Sequence, residues 1–294
     1  MRFATFLLEG VEVPGVYIEG EGYYPLRDIL GDAAPVTLLE YIRNPLQDLS
    51  ASLSSKNLNP ISPDKVTLCA PIPHPIRNVI CLGKNYEDHA KEIAETRLLT
   101  QDENFIPAFP VYFAKSAYPA VGHDGSIPLH EHFTKKVDYE AELAVIIGKK
   151  AFCVKEADVE DVIFGYTVLN DITDRDAQTR YGQWFFGKSL DGFCPMGPHI
   201  VTKDELPFPL ELNIECRVNG ETRQNSNTSL LIYDIPRVIS ELSQGFTLLP
   251  GDIIATGTPG GVGHGMKPPR YLQKGDIVEC EIEKVGILRT YCGQ

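Results

Sequence analysis

The sequence lacks any long apolar run and contains no Cys-x-x-Cys pair. No stretch of its 294 residues approaches the roughly 18 consecutive apolar residues that cross a membrane, so we expect no transmembrane helix. The first apolar run is very short and ends at Glu9, which predicts no signal peptide. The 7 cysteines are odd in number and widely spread, which predicts reduced core thiols rather than disulfides or a thiolate zinc site. Together these absences favour a cytoplasmic protein.

Basic residues are scarcer than acidic ones. Lys and Arg number 27 against 40 Asp and Glu, which gives a formal net charge of −13. This balance argues against a nucleic-acid-binding protein, because such proteins normally present a basic face. A small anionic substrate remains compatible if a metal ion or a local group of Lys and Arg receives it. Hydrophobic residues at 43% and charged residues at 23% are typical of a folded globular protein.

The pattern along the chain changes near residue 65. Short strand and turn signals come first and end in the polar stretch Ser50–Pro63, which predicts a linker. Strand signals then dominate, and the alternation before Asn219-Gly220 predicts a β-hairpin. We therefore expect a small N-terminal β-rich domain over residues 1–65 and a larger domain over residues 66–294. The larger domain is predicted to be α+β and mostly β, without regular strand–helix alternation.

Two helices are predicted in the larger domain. Asp234 can cap the first, and Gly245 can end it. The second begins at Asn85 and places His89 and Glu92 three residues apart on its surface. A carboxylate beside an imidazole stabilises the charged form, which suits a general base acting on water. Taken alone, an exposed helix pair without a function is the commoner explanation.

Acidic residues alternate along the predicted strand 138–148. On a strand Asp138, Glu140 and Glu142 share one face. Neighbouring carboxylates repel each other unless a cation neutralises them, and their hard oxygens suit Mg²⁺, Mn²⁺ or Ca²⁺. Asp171, in an acid-rich loop after a second apolar run, could complete the set. The alternatives are a solvated strand face and an Asx-rich turn with local capping.

Positive and glycine-rich segments add further candidates. Lys115, Arg175 and Lys188 are scattered cations, and a lysine that lies along apolar neighbours explains Lys188 equally well. The loop 256–263 follows a predicted strand and could present backbone N–H groups to an anion. It lacks the Lys-Ser/Thr of a phosphate-binding loop, and most glycine-rich loops are only turns.

Taken in order, these segments resemble the fumarylacetoacetate hydrolase family over about residues 72–290. The resemblance rests on five spaced motifs: Gly83-Lys84-Asn85-Tyr86-x-x-His89, Asp138-Tyr139-Glu140-x-Glu142-Leu143, Gly165-Tyr166-Thr167 through Asn170-Asp171 to Arg175-Asp176-x-Gln178, Gly187-Lys188-Ser189, and Pro250-Gly251-Asp252 through Thr256-Gly257-Thr258-Pro259.

The resemblance implies a mixed β-sandwich roll of the family's type, assembled as a homodimer. It also implies that Glu140, Glu142 and Asp171 hold Mg²⁺ or Mn²⁺, with Ca²⁺ as an alternative. His89 and Glu92 would lie on a lid that orders over substrate. The positions at which the family contacts substrate are Lys115, Lys188, Arg175, Gln178 and Thr258. One departure is Asp174, where the family more often has a small residue; this acid could perturb Arg175 or point to solvent.

Three reactions of one site fit this resemblance. The first is hydrolysis of a C–C bond in an acylpyruvate or fumarylacetoacetate-like acid, with water activated by His89 and Glu92 and with Lys188 and Lys115 stabilising the oxyanion. Decarboxylation of oxaloacetate and isomerisation of a dienedioate are the alternatives, since all share an enolate. A small 2-oxo mono- or dicarboxylic acid is the expected partner in each case. A non-catalytic protein that binds a metal and a 2-oxo acid is the alternative of another class.

Overall fold

The computed structural model describes residues 1–45, 49–55, 58–95 and 106–293. In chain order the strands are β1 Arg2–Leu8, β2 Val11–Ile18, β3 Gly22–Pro25, β4 Thr67–Leu68, β5 Val79–Gly83, β6 Val111–Lys115, β7 Gly125–Ile127, β8 Val137–Asp138, β9 Ala141–Ile147, β10 Ile163–Asn170, β11 Thr173–Asp174, β12 Met196–Thr202, β13 Asn213–Val218, β14 Glu221–Asn227, β15 Ile253–Ala255, β16 Ile277–Ile282 and β17 Gly286–Cys292. The α-helices are α1 Leu26–Leu30, α2 Leu38–Arg43, α3 Leu49–Ser55, α4 Glu87–Glu95, α5 Arg175–Arg180, α6 Phe185–Lys188 and α7 Ile235–Gly245.

Two large sheets, a two-stranded sheet of β8 and β11, and few helices make up the described part of the fold, as predicted. The larger sheet has the order β3-β2-β1-β12-β10-β9-β15-β5-β6, with β4 paired to β1. The smaller has the order β14-β13-β16-β17-β7. Most neighbours are antiparallel, but β15 runs parallel to β5 and β17 runs parallel to β7. The predicted mixed β-sandwich is therefore confirmed for this chain.

The two sheets enclose the main apolar core. Strands β9 and β10 contribute Leu143, Val145 and Val168, and the smaller sheet contributes Ile214 and Cys280. Strand β9 is buried on both faces, because a separate cluster of apolar side chains packs against each face. Any polar side chain on this strand must therefore find its partners inside the protein. This requirement bears directly on Glu142.

Local sequence signals placed several elements correctly. The hairpin of β13 and β14 turns at Asn219 and Gly220, both with positive φ of 54° and 77°. Asp234 caps α7 by accepting the backbone N–H of Arg237 at 2.9 Å. Helix α4 begins at Glu87, two residues later than the predicted Asn85 start. The predicted pair of His89 and Glu92 lies within this helix.

The N-terminal region differs from the expectation of strands and turns alone. It also contains α1, α2 and α3, and α3 occupies part of the stretch predicted to be a linker. Residues 56–57 of that stretch lie outside the described residues. Strand β1 pairs with β12, so the N-terminal strands continue the larger sheet. The boundary near residue 65 stays a prediction, since sheet continuity does not decide which segments fold independently.

The cysteines are reduced, as expected, although not all of them lie in the core. All 7 cysteines are free thiols, and five are buried. Cys69 is only partly buried and Cys153 is exposed, so the expectation of core thiols is wrong for these two. Among the described residues, no helix combines the length and the apolar character needed to cross a bilayer.

Candidate active site

Three acidic side chains converge where β9 and β10 begin and end. Glu140 lies in the break between β8 and β9, Glu142 is on β9, and Asp171 directly follows β10. The backbone N–H of Asp171 donates to the carbonyl of Glu140 at 2.8 Å, which holds the two segments together. One oxygen from each carboxylate lies within 4.8 Å of the other two, and all three residues are buried. The burial of all three residues shows that a solvated strand face is the wrong description, whereas the local capping expected after the second apolar run is present, since Asp174 caps α5.

We call Glu140, Glu142 and Asp171 the carboxylate triad. Three basic side chains surround it. Lys188 Nζ donates to Glu140 Oε2 and to Asp171 Oδ2, each at 2.7 Å. Lys115 Nζ lies 2.7 Å from Asp171 Oδ1. Arg175 Nη1 lies 2.7 Å from Glu140 Oε1. Glu140 and Asp171 thus each contact two cations inside the protein.

Charge compensation is uneven within the triad. Burial opposes the ionisation of Glu140, but Lys188 and Arg175 outweigh it and lower the pKa of Glu140 to about 2. Burial and the nearby carboxylates of Asp171 and Glu140 raise the pKa of Glu142 well above its ordinary value. Among the described residues, Glu142 forms no ion pair with a lysine or arginine, and its carboxylate accepts the N–H of Gly257 at 2.8 Å. A divalent cation would supply the missing positive charge, so the donor set fits an oxygen-ligated metal.

The imidazole of His89 lies on α4 and is buried. Its Nδ1 is 3.5 Å from Glu92 Oε2, which is longer than an ordinary hydrogen bond of about 2.7–3.2 Å. Glu92 in turn accepts the backbone N–H of Gly261, at 3.2 Å and 3.1 Å from its two oxygens. Glu92 therefore connects the helix to the glycine-rich loop. Such loose contacts between a base and its orienting group are common before substrate binds.

The sequence allows two alternatives for the glycine-rich loop, a plain turn or a loop that presents N–H groups to an anion. The structure shows the second. The anions are the protein's own carboxylates. Gly257 donates to Glu142 and Gly261 to Glu92, while Gly263 donates to Asp138 Oδ1 at 2.8 Å. The loop therefore orients three acidic side chains of the site.

Asp138 and Asp174 have structural partners that the sequence did not reveal. Asp138 lies outside the triad and accepts from Arg175 Nε at 2.8 Å. Asp174 does not point to solvent, so that alternative is wrong, and it forms no ion pair with Arg175 among the described residues. A perturbation of Arg175 by Asp174 stays a prediction. Asp174 is buried, accepts from Thr134 Oγ1 at 2.7 Å, and caps α5 through the N–H of Asp176 at 3.0 Å.

A single pocket joins most of the predicted site residues. Those that line it are His89, Glu140, Glu142, Arg175, Gln178, Lys188 and Thr258. Glu92, Asp171 and Lys115 lie behind this surface, in contact with the residues that form it. Lys115 directs its three N–H donors to Asp171, to the carbonyl of Ile172 and to the carbonyl of Lys188. Lys115 is therefore placed to support the triad, and its predicted contact with substrate stays a prediction.

Sequence reasoning missed several residues of the pocket and its surroundings. Lys84, Phe113 and Trp184 line the pocket, and the backbone of Lys84 has a left-handed φ of 54°. Gln224 lies behind the pocket and donates to Thr258 Oγ1 at 2.7 Å. A signal for Gln224 existed in the sequence, since an uncharged polar residue occupies an inward position of the predicted hairpin.

Comparison with known proteins agrees with this geometry. Residues 78–291 match a family model described as the fumarylacetoacetate (FAA) hydrolase C-terminal domain. An oxaloacetate tautomerase from Bacillus subtilis (strain 168) is 45% identical over 256 residues, which are 87% of this chain and 80% of that protein. The relative is named as an enzyme.

Solved structures also align along the full chain. A fumarylacetoacetate hydrolase from psychrophilic Exiguobacterium antarcticum aligns with a TM-score of 0.85 and 41% identity, covering 99% of both chains. A maleylpyruvate hydrolase from Sphingobium sp. SYK-6, in complex with manganese(II) ion and pyruvate, aligns with a TM-score of 0.76 and 31% identity, covering 100% of both chains. By the extent of these matches, the chain belongs to the fumarylacetoacetate hydrolase family.

Proposed function

We propose that this protein is a divalent-metal-dependent hydrolase that cleaves a C–C bond in an acylpyruvate or a related 2,4-dioxo acid. The observation that carries the proposal is one pocket lined by His89 and by two carboxylates of the triad. Proton transfer and charge stabilisation can therefore act on one small molecule. The relative with manganese(II) and pyruvate supports both the ion and the substrate class.

Glu140, Glu142 and Asp171 would hold the ion, Mg²⁺ or Mn²⁺. Once bound, it would neutralise the substrate's carboxylate and polarise its 2-oxo group. Lys188 donates two of its three N–H groups to Glu140 and Asp171, and the third is available to an oxygen in the pocket. Arg175, Gln178 and Thr258 are the proposed substrate contacts.

His89 is the proposed general base. Because Nδ1 faces Glu92, Nε2 is the nitrogen that accepts a proton from water, and Glu92 stabilises the resulting imidazolium. The water oxygen adds to the carbonyl distal to the carboxylate, and the C–C bond on the pyruvate side of that carbonyl then breaks. Protonation of the departing carbon gives pyruvate, and the other product is a carboxylic acid.

A second candidate is chemistry on oxaloacetate, either decarboxylation or keto–enol tautomerisation. Lys84 favours it, because this pocket-lining cation has no ion-pair or side-chain hydrogen-bond partner among the described residues. Asn85 holds the neighbouring backbone in place by donating to the carbonyls of Thr256 at 2.8 Å and Tyr233 at 3.0 Å. An unpaired ammonium carried on an anchored backbone suits a second substrate carboxylate. The similarity to an oxaloacetate tautomerase supports the same candidate.

A side-by-side assay separates the two candidates. Pyruvate release is measured from acetylpyruvate and from oxaloacetate with Mg²⁺ or Mn²⁺, and the decay of enol absorbance reports tautomerisation of oxaloacetate. Chelator controls and metal-only blanks are subtracted. Preference for acetylpyruvate supports the hydrolase, whereas preference for oxaloacetate supports the second candidate. Metal binding without turnover of either acid would contradict both and favour a binding protein.

Two substitutions at Lys84 sharpen this comparison. Lys84→Met removes the charge, and Lys84→Arg retains it as the matched control. If a second carboxylate binds here, Lys84→Met raises KM for oxaloacetate about tenfold and leaves KM for acetylpyruvate nearly unchanged. Equal changes for both acids would show that Lys84 does not select a dicarboxylate.

A further inference from the structure

Gln224 connects the strand that carries the triad to the loop that carries Thr258. It lies on β14, and its side chain is fully buried. Its Oε1 accepts the backbone N–H of Ala141 at 3.0 Å, between Glu140 and Glu142. Its Nε2 donates to Thr258 Oγ1 at 2.7 Å and to the carbonyl of Pro259 at 2.8 Å. One amide thus ties together two walls of the pocket.

The backbone partners of the Gln224 amide identify its oxygen and its nitrogen. An N–H group only donates, so the atom facing Ala141 is the amide oxygen. A carbonyl only accepts, so the atom facing Pro259 is the amide nitrogen. The reversed orientation would oppose two donors at Ala141 and two acceptors at Pro259. The Gln224 amide therefore has one orientation compatible with its surroundings.

This orientation determines the direction of the Thr258 hydroxyl. Because Thr258 Oγ1 accepts from Gln224, its own proton must be donated elsewhere. No acceptor among the residues that the structure describes takes that proton, and Thr258 lines the pocket beside the triad. A ligand oxygen is thus the acceptor that completes this arrangement.

We propose that Gln224 is a positioning residue that commits Thr258 to donate to a carboxylate or carbonyl oxygen of the substrate. The inference rests on the proposed function for the identity of that substrate, a 2-oxo acid. Gln224 also fixes Thr258 relative to Ala141, so the donor keeps its distance from Glu140 and Glu142. A ligand donor at this position could reach only the remaining lone pair of the hydroxyl oxygen and would leave the hydroxyl proton without an acceptor.

Binding of oxalate to the Mn²⁺-loaded protein tests the proposal without any need for turnover. Thr258→Val removes the hydroxyl at nearly constant shape, and Thr258→Ser retains it. We expect Thr258→Val to weaken oxalate binding about tenfold, and Thr258→Ser to change it little. Affinity for Mn²⁺ alone should stay the same in both variants. Equal oxalate affinity in all three proteins would overturn the proposal.

A double-mutant cycle tests whether Gln224 acts through Thr258. Gln224→Met should weaken oxalate binding in the wild-type background and have little further effect in the Thr258→Val background. Cys216→Ala, opposite Gln224 in the hairpin, is the control for general loosening. If Gln224→Met does not fold, Gln224→Glu keeps an acceptor for Ala141 and removes the donor to Thr258. Additive losses, or the same loss in Cys216→Ala, would contradict the positioning role.

Failure of this proposal and failure of the proposed function give different results. If neither 2-oxo acid is turned over but oxalate binding shows the predicted coupling, the proposed function is wrong and the role of Gln224 stands. If turnover occurs but oxalate affinity is independent of Thr258 and Gln224, the positioning role is wrong. A Mn²⁺-loaded wild-type protein that binds no oxalate overturns it as well.

Discussion

Glu140 and Glu142 are two positions apart and are both buried, yet their electrostatic surroundings are opposite. Glu140 contacts Lys188 and Arg175, whereas Glu142 contacts a backbone N–H and lies beside other carboxylates. Removing a partner from a buried ion pair leaves an uncompensated charge, which costs about 3–5 kcal/mol. Removing an uncompensated carboxylate carries no such cost. The two residues should therefore respond differently to the same substitution.

Glu140→Gln and Glu142→Gln form a matched pair. Without metal, Glu140→Gln should lower the free energy of unfolding by about 3–5 kcal/mol. Glu142→Gln should leave it unchanged or raise it at neutral and alkaline pH. The sign follows because a raised folded pKa costs stability as pH rises through it. Urea unfolding of the metal-free proteins measures both, and equal destabilisation by the two variants would contradict this difference.

The same pair should lose the stabilisation by metal. Mn²⁺ raises the melting temperature of a protein that binds it in the native state, by mass action. We expect this shift in wild type and its loss in both variants. If Mn²⁺ raised the melting temperature of Glu142→Gln as much as that of wild type, the ion would bind elsewhere.

At the residue scale the sequence predicted identities better than partners. The two-residue spacing of Glu140 and Glu142 predicts that they share one side, and the end of the next apolar run brings Asp171 to them. Nothing local in the sequence distinguishes Asp138, which contacts Arg175, from the triad. The role of Asp174 as a helix cap likewise depends on where α5 begins. These differences arise from tertiary contacts.

At the scale of elements, the contact between α4 and the glycine-rich loop sets the position of Glu92. A Cβ at Gly265 would fall on the carboxylate of Glu92. Sequence periodicity predicted α4 and the hairpin, because their turns, caps and apolar positions are local signals. It could not predict which loop packs on the helix, because that contact joins segments about 170 residues apart.

Gly265→Ala should separate Glu92 from His89. The added methyl group displaces the flexible end of Glu92, so kcat should fall while the affinity for Mn²⁺ and the melting temperature change little. Gly245→Ala is the matched control, since a Cβ there meets no atom within 4 Å. Steady-state kinetics with the better of the two acids checks this prediction. Equal kcat values for the two variants would show that Glu92 does not support the base.

At the scale of the whole molecule, His199 joins the N-terminal strands to the rest of the larger sheet. It lies on β12, stacks on Tyr17 at a centroid distance of 4.7 Å, and its Nε2 is 3.0 Å from the hydroxyl of Tyr23. Burial, together with Arg2 and His123, lowers the pKa of His199 to about 3. The neutral ring is thus part of this packed contact.

The expected homodimer is a separate prediction, which light scattering of the intact protein tests.

Protonation of His199 should destabilise the fold as pH falls. The pKa is lower in the folded state than in the unfolded chain, so the unfolded state binds the proton first and stability declines below about pH 6.5. Between pH 7.5 and 5 this one group should cost about 2 kcal/mol. His199→Gln should show a correspondingly smaller loss in urea unfolding. Parallel pH curves for wild type and variant would contradict this linkage.

The most direct test of the whole account compares Mn²⁺ affinity and turnover in wild type and His89→Gln. If the triad binds the metal and His89 transfers the proton, the two properties should separate. We predict an unchanged Kd for Mn²⁺ and a kcat for acetylpyruvate lowered by about 100-fold or more. A loss of both properties together, or unchanged turnover, would contradict the assignment.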